Sequence, residues 1–486
     1  MPFEQVVERL NPHRTLSRNP LFQVSMTVQS LQVLIELPGI ESTTSAIAPQ
    51  GVSRFDLHVN FDPQQTPADA PAEISGEIEY NGDVFDRETA ERIARRLETL
   101  LTLVAHDSAV RLSQVRLLTE AEQALVLPPR ELARPAPATL PELLEAQVAA
   151  TPTAVAVEEG GTRITFAGLN AAANRLARHL LAQGVGTEDV VALQLPRGID
   201  YVVGVWAVLK AGAAFLPLDP QNPPQRRAAM CADAQPSLVL DRLPGQDALG
   251  HHGAENVTDA ERVRPLRPEN LCYALFTSGS TGRPKAVQME QRALVNLVRW
   301  WLAEESPERV MQFSATGFDV SVMELLLVTC GGGTLLVPDE ALRKAPDALV
   351  AWMSRRQVSY AVVTSLVLNA IARSAAQAGD ELPQLCRVAQ AGERMALSAD
   401  LRWLAGREGG VVVENYYGPT ETHMATTYTL PVRPEEWAAE TPIGRPIPGA
   451  TAHVLDEWLR PVAPGVTGEL YVGGVQLARG YGGRPG

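Results

Sequence analysis

From about residue 141 onward the chain alternates between helical periods and short apolar runs, and this rhythm restricts the possible fold more than any other feature of the sequence. LNAAANRLARHLLAQ ends at Gly184, VVALQLP follows as an apolar run, GIDYVVGVWAVLKAG closes at Gly212, and AFLPLDP is apolar again. Strands that are apolar on both faces and separated by helices are covered on both sides, the pattern of parallel βαβ units. LCYALF, VMQFSA, TLLVP, YAVVT, RVAQA and VVVEN continue it, with ALVNLVRWWL and VSVMELLLV as helical runs between them. The expected architecture is a doubly wound α/β fold. In such sheets ligands sit beyond the carboxyl ends of the strands, so the loops after Phe276, Ala315, Ala391 and Asn415 are where chemistry is expected.

The flanking segments read differently. Up to residue 118, alternation in FDLHVNF and in ISGEIEY predicts half-buried strands, and Asp86 caps an amphipathic run through Ile93, Leu97, Leu100, Leu101 and Val104. That is a fragment of an α+β unit. Residues 119–140 contain Pro128, Pro129, Pro135 and Pro137, which predict a stiff connector without regular structure. The division is therefore 1–118, 119–140 and 141–486, with short β-like segments after Thr441 expected to form a small appended barrel. With 42 Lys and Arg against 56 Asp and Glu, the formal charge of −14 argues against binding to nucleic acid or an anionic membrane. Four scattered cysteines indicate neither a zinc site nor a disulfide framework and fit a reducing cytoplasm. MPFEQVVERL lacks the basic start and apolar run of a signal peptide, and no spanning stretch follows, so a cytoplasmic protein is expected.

Two motifs leave strand ends. TSGSTGRPK, Thr277 to Lys285, combines Gly279 and Gly282, which let backbone fold closely round phosphate oxygens, with the hydroxyls of Ser278, Ser280 and Thr281 and the cation of Lys285. It is not a Walker loop, because the glycine-to-lysine spacing differs and Pro284 precedes the lysine. An ordinary polar turn is the plain alternative, but the strand-end position favours a polyphosphate cradle. NYYGPTE, Asn415 to Glu421, offers a different set. Asn415 can read a base edge, Tyr416 or Tyr417 can stack on one, Thr420 can donate to a phosphate, and Glu421 can hold Mg²⁺. The histidines show no ligand spacing, and His423 reads as satisfied or solvated.

These two motifs, together with LKAGAAFLPLDP (209–220), FDVS (318–321) and GELYVGGVQLARGY (468–481), resemble in order and spacing the adenylation domains of nonribosomal peptide synthetases. The stretch before residue 141 resembles the C-terminal end of a condensation domain, through LNPHRTLSRNPLFQV and YNGDVFDRETAERI. The resemblance implies ATP-dependent activation of an amino acid to an aminoacyl adenylate, with release of pyrophosphate and delivery to the phosphopantetheine arm of a carrier protein. It assigns Thr277, Ser278, Gly279, Ser280, Thr281, Gly282 and Lys285 to the phosphate loop. Asn415, Tyr417 and Gly418 fall to adenine, Thr420 to the α-phosphate, and Glu421 to magnesium. Asp319 matches the carboxylate that holds the substrate's ammonium, a helix N-cap being its plain alternative. Val320, Met323, Val362, Ala389, Ala391, Tyr416, Met424 and Ala425 match the side-chain pocket, although Met323 and Met424 read equally well as core.

No pocket position is charged, so the expected substrate side chain is neutral. The short residues at Val362, Ala389, Ala391 and Ala425 suggest room for a bulky aliphatic or aromatic group, and Tyr416 either fills the cavity or meets a polar tip. Ala286, Gln291 and Gln476 depart from the family's usual residues. No HHxxxDG occurs, and the chain stops at Gly486, before the segment that would carry the family's catalytic lysine, so weak adenylation by this chain is expected. Two alternatives stand beside this reading: an acyl-CoA-synthetase-like ligase, which has no reason to place an acid at Asp319, and a noncatalytic nucleotide-binding fragment.

Overall fold

The computed structural model describes residues 3–10, 20–28, 53–63, 74–127, 136–277, 284–304, 308–380 and 382–483. They fall into two compact units, one of Met1–Leu127 with Leu455–Gly468, the other of Pro128–Val454 with Glu469–Gly486.

In the first unit β1 (Val24–Val28) runs parallel to β2 (Leu57–Pro63), which pairs antiparallel with β3 (Ile74–Tyr80). The register aligns Val24, Met26 and Val28 with Leu57, Val59 and Phe61, one apolar row beside another. The helix Arg87–His106 starts where Asp86 accepts from the Thr89 N–H at 2.6 Å. Its Arg96 donates to the Glu122 carboxylate at 2.9 Å and to the Pro464 carbonyl at 3.3 Å. Residues 119–127 do not follow the irregular connector predicted for 119–140. A helix spans Glu120–Val126, because Thr119 and Glu122 form a capping box, the Glu122 N–H reaching the Thr119 hydroxyl at 3.2 Å and Glu122 Oε2 accepting from the Thr119 N–H at 3.1 Å.

The second unit carries the expected α/β alternation. Its strands among the described residues begin with β4 (Val155–Glu159), β5 (Thr162–Thr165), β6 (Val190–Leu193), β7 (Ala214–Pro217), β8 (Leu238–Leu240), β9 (Leu271–Thr277) and β10 (Lys285–Glu290). They continue with β11 (Arg309–Met311), β12 (Thr334–Val337), β13 (Tyr360–Val363), β14 (Arg387–Gln390), β15 (Val412–Tyr417) and β16 (Thr426–Thr429). The short strands β17 (Arg445–Pro446), β18 (Ala450–Leu455), β19 (Glu469–Gly474) and β20 (Gly480–Tyr481) follow. One sheet has the order β20-β10-β9-β7-β6-β8, the other β17-β16-β15-β14-β13-β11-β12-β4-β5. Both are parallel at the centre and acquire antiparallel strands at the margins.

Two helices show why the sheets pack as they do. Ile199–Ala211 is buried from Tyr201 to Ala211, and Asp319–Gly331 is buried from Ser321 to Cys330, so neither has a polar face to turn to water. A single apolar cluster joins them to Leu193, Phe215 and Tyr273 of one sheet and Val310, Leu335 and Tyr360 of the other. The first helix stops at Gly212, whose left-handed φ of 93° permits the reversal into β7. The predicted appended barrel is not what the C-terminal segments form among the described residues. β17 and β20 are too short to close on themselves and extend the two large sheets, leaving β18 and β19 as a two-stranded ribbon.

Candidate active site

At the carboxyl end of β9, Thr277 lies opposite Lys285 across the hairpin. The intervening Ser278, Gly279, Ser280, Thr281 and Gly282 lie outside the described residues. β20 pairs with β10 so that Tyr481 faces Val287, which brings the phenol ring under the lysine, with Lys285 Nζ 4.9 Å from its centroid. Tyr481 donates its hydroxyl to Glu421 Oε1 at 2.7 Å, and this bond pushes the phenol's pKa up, keeping it a neutral donor. Thus Lys285, Tyr481 and Glu421 meet at one place. Tyr481 was not singled out from sequence, although its position at the end of the last motif was the available signal.

The NYYGPTE segment divides by strand parity. Register sets Glu414 opposite Ala389 and Asn415 opposite Gln390, so Tyr416 shares a face with Glu414, and Asn415 points the other way. Asn415 Oδ1 accepts from Gln390 Nε2, and its Nδ2 donates to the Pro442 carbonyl at 2.8 Å. A base edge would therefore have to exchange partners with Gln390. Tyr416 is buried, whereas Tyr417 is exposed, so Tyr417 is the ring free to stack. At Gly418 the chain folds back on itself so tightly that a Cβ would stand 1.6 Å from the His423 carbonyl oxygen and 2.9 Å from the Ala425 nitrogen. Gly418→Ala is expected to cost about 3 kcal/mol or more and to weaken nucleotide binding, because the backbone must move to accept it. Thermal unfolding together with ATP titration would check both; an unshifted midpoint would show that the turn has slack.

Asp319 is the first residue of its helix, with Phe318 in the capping position, so the N-cap alternative does not hold. It is half-buried rather than buried, and its Oδ1 accepts from the Val320 N–H at 2.8 Å. His423 packs close by and is buried, not solvated: Nδ1 accepts from the Met424 N–H at 2.9 Å. Burial lowers the ring's pKa against the opposing charge of Asp319, so the imidazole is neutral, with its proton on Nε2.

Most of the positions matched to the side-chain pocket belong to the main apolar core. Met323, Val362, Ala389, Tyr416 and Met424 are buried in one apolar cluster against which Val320 and Ala391 pack half-buried; Ala425 is buried beside them in sequence. One pocket position, Tyr416, is tied into a buried polar network. Tyr416 donates to Glu414 Oε2 at 2.6 Å and meets the Tyr360 hydroxyl at 3.2 Å, while Arg387 Nη1 holds Glu414 Oε1 at 2.8 Å. The Tyr416 proton is thus committed within the fold and is not available to a polar substrate tip. Of the departures, Gln291 replaces its family residue with a structural role, accepting from the Leu140 N–H at 3.0 Å, while Ala286 and Gln476 are buried. A separate cavity of about 240 Å³ opens at the ends of β4, β6, β7 and β12, with Glu159, Arg197, Asp219 and Glu340 among its walls. None of the sequence-predicted residues lines it.

In this doubly wound α/β unit Lys285 and Glu421 thus meet beyond the strand ends, and a second acid, Asp319, starts a buried helix. Residues 144–482 match the AMP-binding enzyme family and residues 1–127 the condensation domain. The chain belongs to the AMP-binding enzyme family and carries a condensation-domain segment ahead of that core. It is 39% identical over its whole length to the probable nonribosomal peptide synthetase CymA of Salinispora arenicola, of which it covers 6%. It is 35% identical, again over its whole length, to a dimodular nonribosomal peptide synthase of Bacillus subtilis, of which it covers 22%. The chain therefore spans only a small part of these curated relatives. The crystal structure of holo-AB3403, a four-domain nonribosomal peptide synthetase bound to AMP and glycine, superposes over all of this chain and 37% of its own, with TM-score 0.80 and 22% identity.

Proposed function

We propose that this chain activates an amino acid with ATP, forming an aminoacyl adenylate for loading onto the phosphopantetheine arm of a carrier protein. The observation that carries this reading is the convergence of Lys285, Tyr481 and Glu421 at the base of the β9–β10 hairpin. In the reaction a substrate carboxylate oxygen bonds to the α-phosphorus of ATP, and the bond from that phosphorus to the bridging oxygen breaks, pyrophosphate leaving with the electron pair. Lys285 supplies positive charge near the phosphates, and the exposed Tyr417 offers a face for adenine. Thr420, half-buried beside Glu421, is a hydroxyl donor for the α-phosphate.

Glu421 fits Mg²⁺. It is a hard oxygen ligand whose Oε1 is oriented by Tyr481, and no group of three His, Cys, Asp or Glu among the described residues could hold a metal without help. Phosphate and water would complete its shell. When bound, the ion would neutralise charge on the phosphates. Asp319 would pair with the substrate's ammonium at the mouth of an uncharged pocket, which selects a neutral, apolar side chain. We place the reaction in the cytoplasm, in keeping with four free cysteines and with the lack, among the described residues, of any helix long and apolar enough to cross a membrane.

The test is ATP–pyrophosphate exchange with the amino acids set against fatty and aryl acids. Exchange dependent on an amino acid supports the proposal. Exchange driven by fatty or aryl acids alone would replace it with an acyl-CoA-synthetase-like ligase, and ATP binding without exchange on any acid, in this chain and in a longer one reaching past Gly486, would leave a noncatalytic nucleotide-binding unit.

A further inference from the structure

The face of β13, β14 and β15 that lines the pocket carries a hydrogen-bonded chain that the activation chemistry does not use. Neighbouring strands stand about 4.8 Å apart, so β13 and β15 are roughly 10 Å apart with β14 between them. Yet the hydroxyls of Tyr360 on β13 and Tyr416 on β15 meet at 3.2 Å. The two rings must lean toward each other over β14, where Arg387 is the register partner of Tyr360 and Ala389 that of Glu414. Ala389 lies between Val362 and Glu414 in register, and Glu414 is the group that accepts from the Tyr416 hydroxyl.

What holds the rings there is polar. Burial pushes both phenols well above their ordinary pKa, so both remain protonated. Tyr416 gives its proton to Glu414, and Tyr360 is then the donor to Tyr416. Glu414 is fixed from its other oxygen by Arg387. Trp301 packs edge-on against Tyr360 and Tyr416, with centroids 5.5 and 6.2 Å away, and blocks a third direction of movement. If Tyr416 swung aside it would strand a buried hydroxyl and loosen a buried ion pair, both costly. Among the pocket positions, Val320, next to Asp319 in sequence, and Ala391 are the two that are half-buried.

We infer that Tyr360, Glu414 and Arg387 are positioning residues that hold the Tyr416 ring as a fixed floor, so that the site takes an amino acid with a short, uncharged, apolar side chain. This rests on the amino-acid-activating reading above and replaces the bulky side chain expected from sequence.

The experiment titrates the full chain with nonhydrolysable 5′-O-(N-aminoacylsulfamoyl)adenosines bearing alanine, valine or phenylalanine side chains. The alanyl and valyl compounds are expected to bind about tenfold or more tightly than the phenylalanyl compound, since overfilling a closed pocket costs at least as much as one misplaced methylene. Tyr360→Phe and Glu414→Gln, which preserve shape, should each narrow that ratio by roughly threefold or more. A merely structural role would weaken all three compounds together and leave the ratio alone. Tyr416→Ala, which removes the floor, should reverse the ratio. Phenylalanyl binding equal to or tighter than alanyl in the parent chain would overturn the short-side-chain assignment. An unchanged ratio in both conservative variants would overturn the positioning roles. Failure of all three compounds in a chain that still binds ATP would fall instead on the underlying activation reading.

Discussion

Asp319→Ala is expected to abolish capture of the amino acid while leaving ATP affinity within about twofold. The carboxylate stands at the first position of a 13-residue helix, half-buried, and accepts from the adjacent Val320 N–H. Without it the substrate's ammonium would lose its counter-charge at a partly desolvated mouth, a penalty of several kcal/mol, or on the order of a hundredfold or more in affinity. The same change removes an acid from a helix N-terminus, but that contributes only about 0.3–1 kcal/mol to stability, so the fold should survive. Asp319→Asn separates charge from shape, because the amide oxygen can still accept from Val320. Both variants should fail in calorimetric titration with amino acid and succeed with ATP. Undiminished amino-acid binding by the alanine variant would remove Asp319 from the site.

A second large effect concerns pH. Glu324 lies wholly buried behind the loop that leads to Asp319, accepting from the Phe313 N–H at 3.2 Å, the Ser314 N–H at 3.1 Å and the Ser314 hydroxyl at 3.0 Å. Burial pushes its pKa from 4.5 up to about 8, with those donors and the charge of Arg197 opposing. The folded chain therefore keeps a proton that the unfolded chain releases above pH 4.5. The stabilisation is fully present below that value, drains away as pH rises and is spent by about pH 8. A shift of about 3.5 units corresponds to up to about 5 kcal/mol across the window. Glu324→Gln carries no titrating proton and should flatten the slope. Urea unfolding at pH 5, 6.5 and 8 decides the matter, and parallel slopes for parent and variant would assign the pH dependence to other groups.

Much of the second unit was legible because its strands are apolar on both faces and its helices end in recognisable stops; β9, β13, β14 and β15 fall where the runs predict them. The helix at Glu120–Val126 was hidden by the prolines that follow it, although the capping pair Thr119 and Glu122 was present in the sequence. Parity could have warned that Asn415 and Tyr416, adjacent on one strand, cannot both face the same ligand side. The partnership of Tyr360, Glu414 and Arg387 was beyond reach, because nothing in VVVEN or RVAQA states which residue of one strand lies opposite which residue of the next. That register depends on how whole helices pack across the sheet. It also bears on Ala389: read alone, a small residue suggests a hollow, whereas its register partner Glu414 already binds the Tyr416 hydroxyl.

The pairing of β10 with β20 has a temporal side. Val287 and Gln288 find their partners in Tyr481 and Gly480, about 190 residues later in the chain. At roughly 5–20 residues per second of synthesis, the outer edge of the β9–β10 pair waits about 10–40 s on the ribosome before its last strand exists. During that interval β10 is a bare edge, and the charges of Lys285 and Glu290 at its two ends are the local defence against pairing with another nascent chain. Slow codons placed ahead of Gly480 would lengthen this exposure rather than aid folding, so the cost of mistimed translation in this chain should appear as aggregation through the edge of β10.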